Sequence, residues 1–369
     1  MQYDIIVVGA GISGATMAER FASQENKKVL VVEKRDHIGG NCFDYLDQVG
    51  IRVSKYGAHI FHTNDEGVWQ YINRFSKWRP YIHKVLSFVD GKLVPIPVNA
   101  KTVNLLFGLN LDEKGMKEWL KENQVRYKNP KNAEEMAKSR VGNVLYEKMF
   151  KNYTKKQWDM EPILLDASVT ARIPVHDSFD DRWFADKYQV MPEDGYTRIF
   201  ENMLKNPRIE VQLNTDYFNI QGQLPKIEKI VFTAPIDRYF YYNSGYLGKL
   251  PYRSLRFKYL TYNVEYYQEN SVINYPNEHR YTRSIEYKRL FEQKHHQTTI
   301  AYEYPTWEGE PYYPVPNSRN NALYEKYKAR AEKLKNTHFV GRLGNYKYLN
   351  MDQAFRNALD LFDKVKHEG

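Results

Sequence analysis

The sequence predicts an α/β protein: a discontinuous Rossmann-like dinucleotide-binding domain into which a small helical domain and an antiparallel β-sheet domain are inserted. Three observations carry this reading. An apolar strand runs into a G-x-G-x-x-G turn at the start of the chain, and helical periodicity takes over between Ala100 and Met149. Alternating, tyrosine-rich segments then fill Ser254 to Ile300 before strand and helix patterns return near the C-terminus. The division expected is 1–78, 189–244 and 318–369 for the dinucleotide-binding domain, 99–163 for the helical domain, and 79–98, 164–188 and 245–317 for the sheet domain. A chain of 369 residues is long enough for two or three such units.

Tyr3 to Val8 is β-branched and uninterrupted, as a buried strand should be. In the turn Gly9-Ala10-Gly11-Ile12-Ser13-Gly14 the first glycine permits the sharp bend and the second lets a pyrophosphate approach the backbone. The third lets a helix carrying Ala15, Ala18, Phe21 and Ala22 pack closely, with its N-terminal amides and dipole facing the phosphates. Lys28 to Val32 is a second strand, and Glu33 follows nineteen residues after Gly14, placed to accept ribose hydroxyls. Gly39-Gly40 alone would be an ordinary turn. Within E-K-R-D-H-I-G-G-N it resembles the extended fingerprint of FAD-binding proteins of the glutathione-reductase and amine-oxidase type. FAD is therefore the expected cofactor, held by Gly9, Gly11, Ile12, Ser13, Gly14, Glu33, Lys34, Gly39, Gly40 and Asn41.

Composition narrows the classes. A mean hydropathy of −0.70 and the lack of any apolar run near the ~18 residues of a membrane span predict a soluble protein without membrane insertion. The fingerprint strand begins almost at once, leaving no room for a signal peptide, and the single Cys42 fits a reducing cytoplasm, as a small buried side chain. The net charge of +9 is dispersed, without the dense basic tract of a nucleic-acid binder, and suits a polyanionic small ligand such as a nucleotide sugar. The 31 tyrosines leave scope for stacking surfaces and hydroxyl donors around it.

Further along, His59 and His62 lack partners at metal-ligand spacing, so no metal is expected. Lys84 to Pro97 is a hairpin turning at Asp90-Gly91. From Asn132 a helix is expected to bury Met136, Val141, Val144, Leu145 and Met149 on one face. Phe150 to Trp158 interleaves aromatics and lysines, either to stack a base or as an amphipathic surface. Asp166 to Trp183 reads as an exposed loop carrying Arg172, a phosphate-binding candidate or a solvated side chain. Gly195 opens a helix to Leu204, with strands at Ile209 to Leu213 and Lys229 to Pro235. Tyr312 to Pro316 reads as a loop, Ala322 to Leu334 as a helix and Thr337 to Val340 as a strand. A Gly341-Arg342 turn then leads into a helix starting at Met351-Asp352, whose N-terminus is suited to a flavin's pyrimidine end.

These segments together resemble the bacterial UDP-galactopyranose mutases over nearly the whole chain: V-G-A-G-I-S-G, E-K-R-D-H-I-G-G-N-C, K-Y-G-A-H-I-F-H-T, Y-T-K-K-Q-W, A-R-I-P-V, Y-T-R-S-I-E, P-Y-Y-P-V and F-V-G-R-L-G-N-Y-K-Y-L-N-M-D. The resemblance implies a redox-neutral interconversion of UDP-galactopyranose and UDP-galactofuranose on reduced FAD, in a cytoplasmic homodimer that supplies galactofuranose to surface polysaccharides. It implies that reduced flavin N5 attacks the anomeric carbon, expelling UDP to form a covalent adduct, and that the ring opens through an iminium and recloses through O4. Carried onto this sequence, Phe150 and Tyr153 hold the uracil with Trp158 nearby, and Arg172 and Arg283 bind the diphosphate with Tyr313 and Tyr348. His62 lies beside the isoalloxazine, with Arg172, Arg283 and His62 as the catalytic set. His59, Ile60, Arg342, Tyr348, Met351 and Asp352 complete the cofactor contacts, and Trp183 and Asn350 the substrate contacts.

Three positions depart from the family pattern: Ala58 replaces a usual proline, Trp183 a common tyrosine and Asn350 a frequent aspartate. They leave the sugar open between galactose and N-acetylgalactosamine. An amine-oxidase-like flavin oxidoreductase would share the N-terminal fingerprint, and a non-catalytic nucleotide-sugar binder would keep the arginines. The uridine and diphosphate motifs favour a nucleotide-sugar mutase over both, and binding of UDP together with a dependence on flavin reduction separates the three.

Overall fold

In the computed structural model, which describes residues 3–224 and 227–367, the first forty residues lead straight into a five-stranded sheet. Its strands run in the order Ile209–Gln212, Val29–Val32, Ile5–Val8, Lys229–Phe232, Thr337–Phe339. Every pairing is parallel, so strands from both ends and the middle of the chain make one layer. Ile5–Val8 and Val29–Val32 are buried throughout, as uninterrupted β-branched runs require in a sheet covered on both faces. One cover is the helix Ile12–Gln24, packed on the C-terminal helix Met351–Val365 with Phe21 edge-on to Phe362 at 5.2 Å. Cys42 is buried, as expected.

A second, seven-stranded sheet runs in the order Tyr313–Pro314, Tyr252–Tyr262, Thr298–Thr306, Arg283–Glu286, Val272–Asn274, Val85–Val89, Lys92–Ile96. It is mixed rather than purely antiparallel, because Val272–Asn274 runs parallel to Val85–Val89. The residues 312–316, expected as a loop, include a two-residue strand that pairs with Tyr252 and Arg253. The Lys84–Pro97 hairpin forms as expected, with Val89 opposite Lys92 across Asp90-Gly91.

The helical segment departs from its expected single run. Gly142 adopts φ +79° inside Ala133–Leu145, and a Cβ there would come within 2.3 Å of the Asn123 carbonyl oxygen. Only glycine fits such a backbone. The chain then winds as a π-helix over Tyr146–Lys151 before returning to α-helix at Asn152–Trp158. This kink turns Val144 out to solvent, where the expected apolar stripe would have buried it, and buries Tyr146, Met149 and Phe150. Within the expected loop 166–183, Ser168–Ala171 forms one helical turn with Val169 and Thr170 buried. The helix expected at 322–334 runs from Ser318 to Ala331, starting at an Asn317 cap whose side chain accepts from Asn320 N.

Candidate active site

Two adjoining cavities occupy the cleft between the sheets. The larger, about 420 Å³, opens at the C-terminal ends of the parallel strands, where ligands bind in open α/β sheets. Its wall includes Gly9, Gly11, Ile12, Ser13, Glu33, Lys34, Gly39, Gly40, Asn41, His59, Arg342 and Met351. Gly9 has φ +102°, and a Cβ on it would strike the Thr233 hydroxyl at 2.2 Å. A Cβ on Gly40 would lie 2.8 Å from Gly11 Cα, so the two glycine turns abut and expose bare backbone. Such a cradle at a helix N-terminus fits a pyrophosphate.

Glu33 is buried, with Oε2 accepting from Ala10 N at 2.8 Å and Oε1 from Arg35 N at 2.9 Å. Those bonds orient the carboxylate and leave each oxygen a second lone pair for a ribose hydroxyl. Lys34 and Arg35 both turn to Glu310, at 2.7 and 3.4 Å, and Arg35 also holds Asn41 Oδ1. Gly14 stands behind the wall: a Cβ on it would meet the Gly9 carbonyl oxygen at 1.9 Å, so it serves helix-on-strand packing. Asp352 lines neither cavity. Its Oδ2 accepts from Thr63 Oγ1 at 3.3 Å, and burial raises its carboxyl above the usual range.

The smaller cavity, about 230 Å³, is lined by Phe150, Tyr153, Trp158, Arg172, Trp183, Arg283, Tyr313, Tyr348, Asn350, Ile60 and His62. Ile60, expected at the cofactor, and Tyr348, expected at both cofactor and substrate, line this second space. His59, Arg342, Asn350 and Met351 line both cavities and mark where they join.

At the junction, burial first and the Arg342 charge second push His59 down to about 4, so its ring is neutral near pH 7. His59 Nδ1 is 2.9 Å from the Gly57 carbonyl, which can only accept, so Nδ1 carries the proton and Nε2 the lone pair. Tyr313 and Tyr348 stack at 5.2 Å, with the Arg172 guanidinium 4.0 Å and Arg342 4.8 Å from the Tyr348 ring centre. Burial opposes ionisation of Tyr348, but Arg172 and Arg342 more than offset it and hold the hydroxyl below the ordinary tyrosine range. Arg283 donates to the Tyr153 hydroxyl and lies 3.4 Å from Glu303. Burial works against its charge, yet Glu303 and the tyrosines raise it above the usual arginine value, so it stays cationic. Three guanidinium groups and a pair of stacked tyrosines thus converge on one space. That arrangement suits a multiply charged leaving group rather than an apolar amine.

Several lining groups were not anticipated from sequence. Ser87, Asn274 and Glu303 stand in cross-strand register with the anticipated Arg283 on four neighbouring strands and form with it a polar floor to the smaller cavity. His83 is buried beside Arg283, and Phe184 and Asp186 meet His62. Only Arg283 gave a sequence signal, because register between distant strands leaves none.

A parallel Rossmann layer with a double glycine cradle, opening into a cationic, aromatic cleft, defines a dinucleotide-binding enzyme that acts on a polyanionic ligand. Residues 148–348 match the family model described as UDP-galactopyranose mutase, and residues 7–75 that of an NAD(P)-binding Rossmann-like domain. The chain is 38% identical to a probable UDP-galactopyranose mutase of Klebsiella pneumoniae, over 98% of this chain and 94% of that protein. It is 35% identical to a dTDP-fucopyranose mutase of Escherichia coli, over 96% of each. A crystal structure of reduced UDP-galactopyranose mutase shares the fold at a TM-score of 0.80 with 16% identity, covering 100% of this chain and 95% of that one. The chain belongs to the UDP-galactopyranose mutase family, and it is an isomerase.

Proposed function

We propose that this protein is an FAD-dependent mutase that interconverts the pyranose and furanose forms of a nucleotide-linked galactose-type sugar, with UDP-galactopyranose as the first candidate. The observation that carries the reading is the meeting of a glycine-cradled dinucleotide cavity with an arginine- and tyrosine-lined cavity at His59, Arg342, Asn350 and Met351. Bound in its reduced form, the flavin supplies the nucleophile for the anomeric carbon. The chain's own residues do the rest. Phe150 and Tyr153 present faces to the base, with Trp158 beside them. Arg172 and Arg283, backed by Tyr313 and Tyr348, neutralise the diphosphate as it departs and hold it for return. Gly9, Gly11, Gly39, Gly40 and Glu33 hold the dinucleotide. Cytoplasmic location, homodimeric assembly and supply of galactofuranose to surface polysaccharides rest on the family resemblance alone. Among the described residues no helix is long and apolar enough to cross a membrane.

The sugar is the finer question. Trp183 and Asn350 both line the smaller cavity, where they replace a hydroxyl and a negative charge common in the family, which keeps UDP-N-acetylgalactosamine in play. The Escherichia coli relative, a dTDP-fucopyranose mutase, adds dTDP-fucopyranose to the candidates. The purified protein incubated with UDP-galactopyranose, UDP-N-acetylgalactosamine or dTDP-fucopyranose, with and without dithionite, is expected to give a furanose isomer from one of them only when the flavin is reduced. Chromatographic product analysis reads this directly. No isomer from any of the three, with a reducible yellow cofactor present, would overturn the proposal.

A further inference from the structure

We propose that Asp186 is a positioning residue that fixes His62 as the proton shuttle between two sugar oxygens, an inference that rests on the mutase reading above. His62 lies on Phe61–Thr63, which pairs with Tyr188–Pro192 and places His62 opposite Gln189. His62 Nδ1 is 2.9 Å from Asp186 Oδ2, while Asp186 Oδ1 accepts from Asn64 Nδ2 at 2.8 Å. Asp186 is itself anchored, since Gln189 Nε2 donates to its carbonyl at 2.9 Å. Phe184 stacks on the imidazole at 3.6 Å and 15°. The ring is therefore fixed in both tilt and rotation.

A carboxylate only accepts, so Nδ1 carries a hydrogen whether the ring is neutral or charged. Nε2 is the one nitrogen left to exchange a proton. His62 lines the smaller cavity with Trp183 and Asn350, and among the described residues Nε2 has no hydrogen-bond partner. The titratable groups near the ring are Asp186, Asp352 at the start of the C-terminal helix, and His83 before Val85–Val89. Burial first, then the charge of Arg283, pushes His83 down to about 3, so it adds no charge of its own near neutrality.

Pyranose and furanose differ in which oxygen closes the ring, so turnover needs one proton delivered and one removed. As the C1–O5 bond breaks, O5 gains a hydrogen from Nε2. As the C1–O4 bond forms, O4 loses its hydrogen to Nε2. His62 ends the cycle as it began, and no outside acid or base is consumed.

The first measurement is the tautomer of His62 by ¹⁵N-edited NMR of the flavin-loaded protein at alkaline pH. The Nδ1–H form is expected in the wild type, and D186N, whose amide can donate to Nδ1, is expected to shift it toward Nε2–H. In product assays, H62Q is expected to lose roughly 100-fold in kcat with little change in KM, and to lose the ionisation seen in the wild-type kcat–pH profile. D186N should lose at least about tenfold and displace that ionisation, with D186E recovering part of the rate. A wild-type Nε2–H tautomer would overturn the proposal, as would a flavin-loaded D186N with wild-type kcat and pH profile. No furanose from the wild-type enzyme would overturn the mutase reading and this role with it. Furanose formation with an unaltered D186N would overturn this role alone.

Discussion

Tyr153 faces a ligand and also holds the group that binds it, since its hydroxyl accepts from Arg283. Replacing it with phenylalanine keeps the ring face and removes that hold, leaving Arg283 its ion pair with Glu303 at 3.4 Å. A hydrogen bond to a charged group contributes about 1.5–3 kcal/mol, so Y153F should lower kcat/KM roughly tenfold or more, mostly through KM, with flavin content unchanged. Steady-state kinetics beside a flavin absorbance ratio checks this, and unchanged KM would mean that Arg283 is held by other groups. His83 supports a second expectation. Its pKa falls from 6.5 to about 3 through burial, then Arg283 and His62. Below pH 6.5 the unfolded chain takes up a proton that the folded chain refuses, so stability falls as pH drops from 6.5 toward 3, by up to about 5 kcal/mol from this group. Urea melts across that window should show H83Q losing less stability on acidification than the wild type. Equal slopes would mean that His83 protonates freely in the folded state.

At the level of elements, the glycine-rich strand–turn–helix was legible because backbone demand writes itself into residue type. Gly9 and Gly40 stand where a side chain would strike a neighbour, and Glu33 sits where the second strand ends. The Gly142 kink was not legible, because Gly142 looks like an ordinary interruption in a helical pattern, and its φ of +79° and the Asn123 carbonyl beside it come together only in the fold. The kink has a functional consequence, since the π-turn beyond it sets the direction in which Phe150 and Tyr153 enter the smaller cavity. Gly142→Ala should therefore destabilise the fold by roughly 1–3 kcal/mol and raise KM for the nucleotide sugar, while flavin binding in the other cavity is retained. A melting-temperature drop with normal flavin content and weaker UDP binding by calorimetry would agree. A variant with wild-type stability would show that the kink is not strained against Asn123. The polar floor was equally hidden, because Ser87, Asn274, Arg283 and Glu303 are brought together by pairing register over more than two hundred residues of chain.

For the whole molecule, the two cavities divide the work between a parallel layer whose central strands Ile5–Val8 and Val29–Val32 are buried and a tyrosine-rich sheet that carries charge. The sequence already showed the excess of +9 and the two candidate arginines, but not that Arg172, Arg283 and Arg342 would gather around one stacked tyrosine pair. Their placement separates two electrostatic effects. Arg172 is exposed, and it adds to the positive field that an approaching diphosphate meets, whereas Arg283 and Arg342 are half-buried against aromatic rings where mobile ions penetrate less. Exposed charges are screened beyond about 10 Å at 0.1 M salt, and paired groups inside a cleft much less so. Raising the salt from about 20 mM to about 300 mM should therefore lower kcat/KM several-fold through slower capture, while kcat, set after the diphosphate is held, changes little. Arg172→Gln should flatten that salt dependence as well as lower the rate, and Arg283→Gln should lower the rate while leaving the slope largely in place. If both variants flattened the slope equally, the cleft would be acting as one screened patch, and the division between capture by Arg172 and retention by Arg283 would fail.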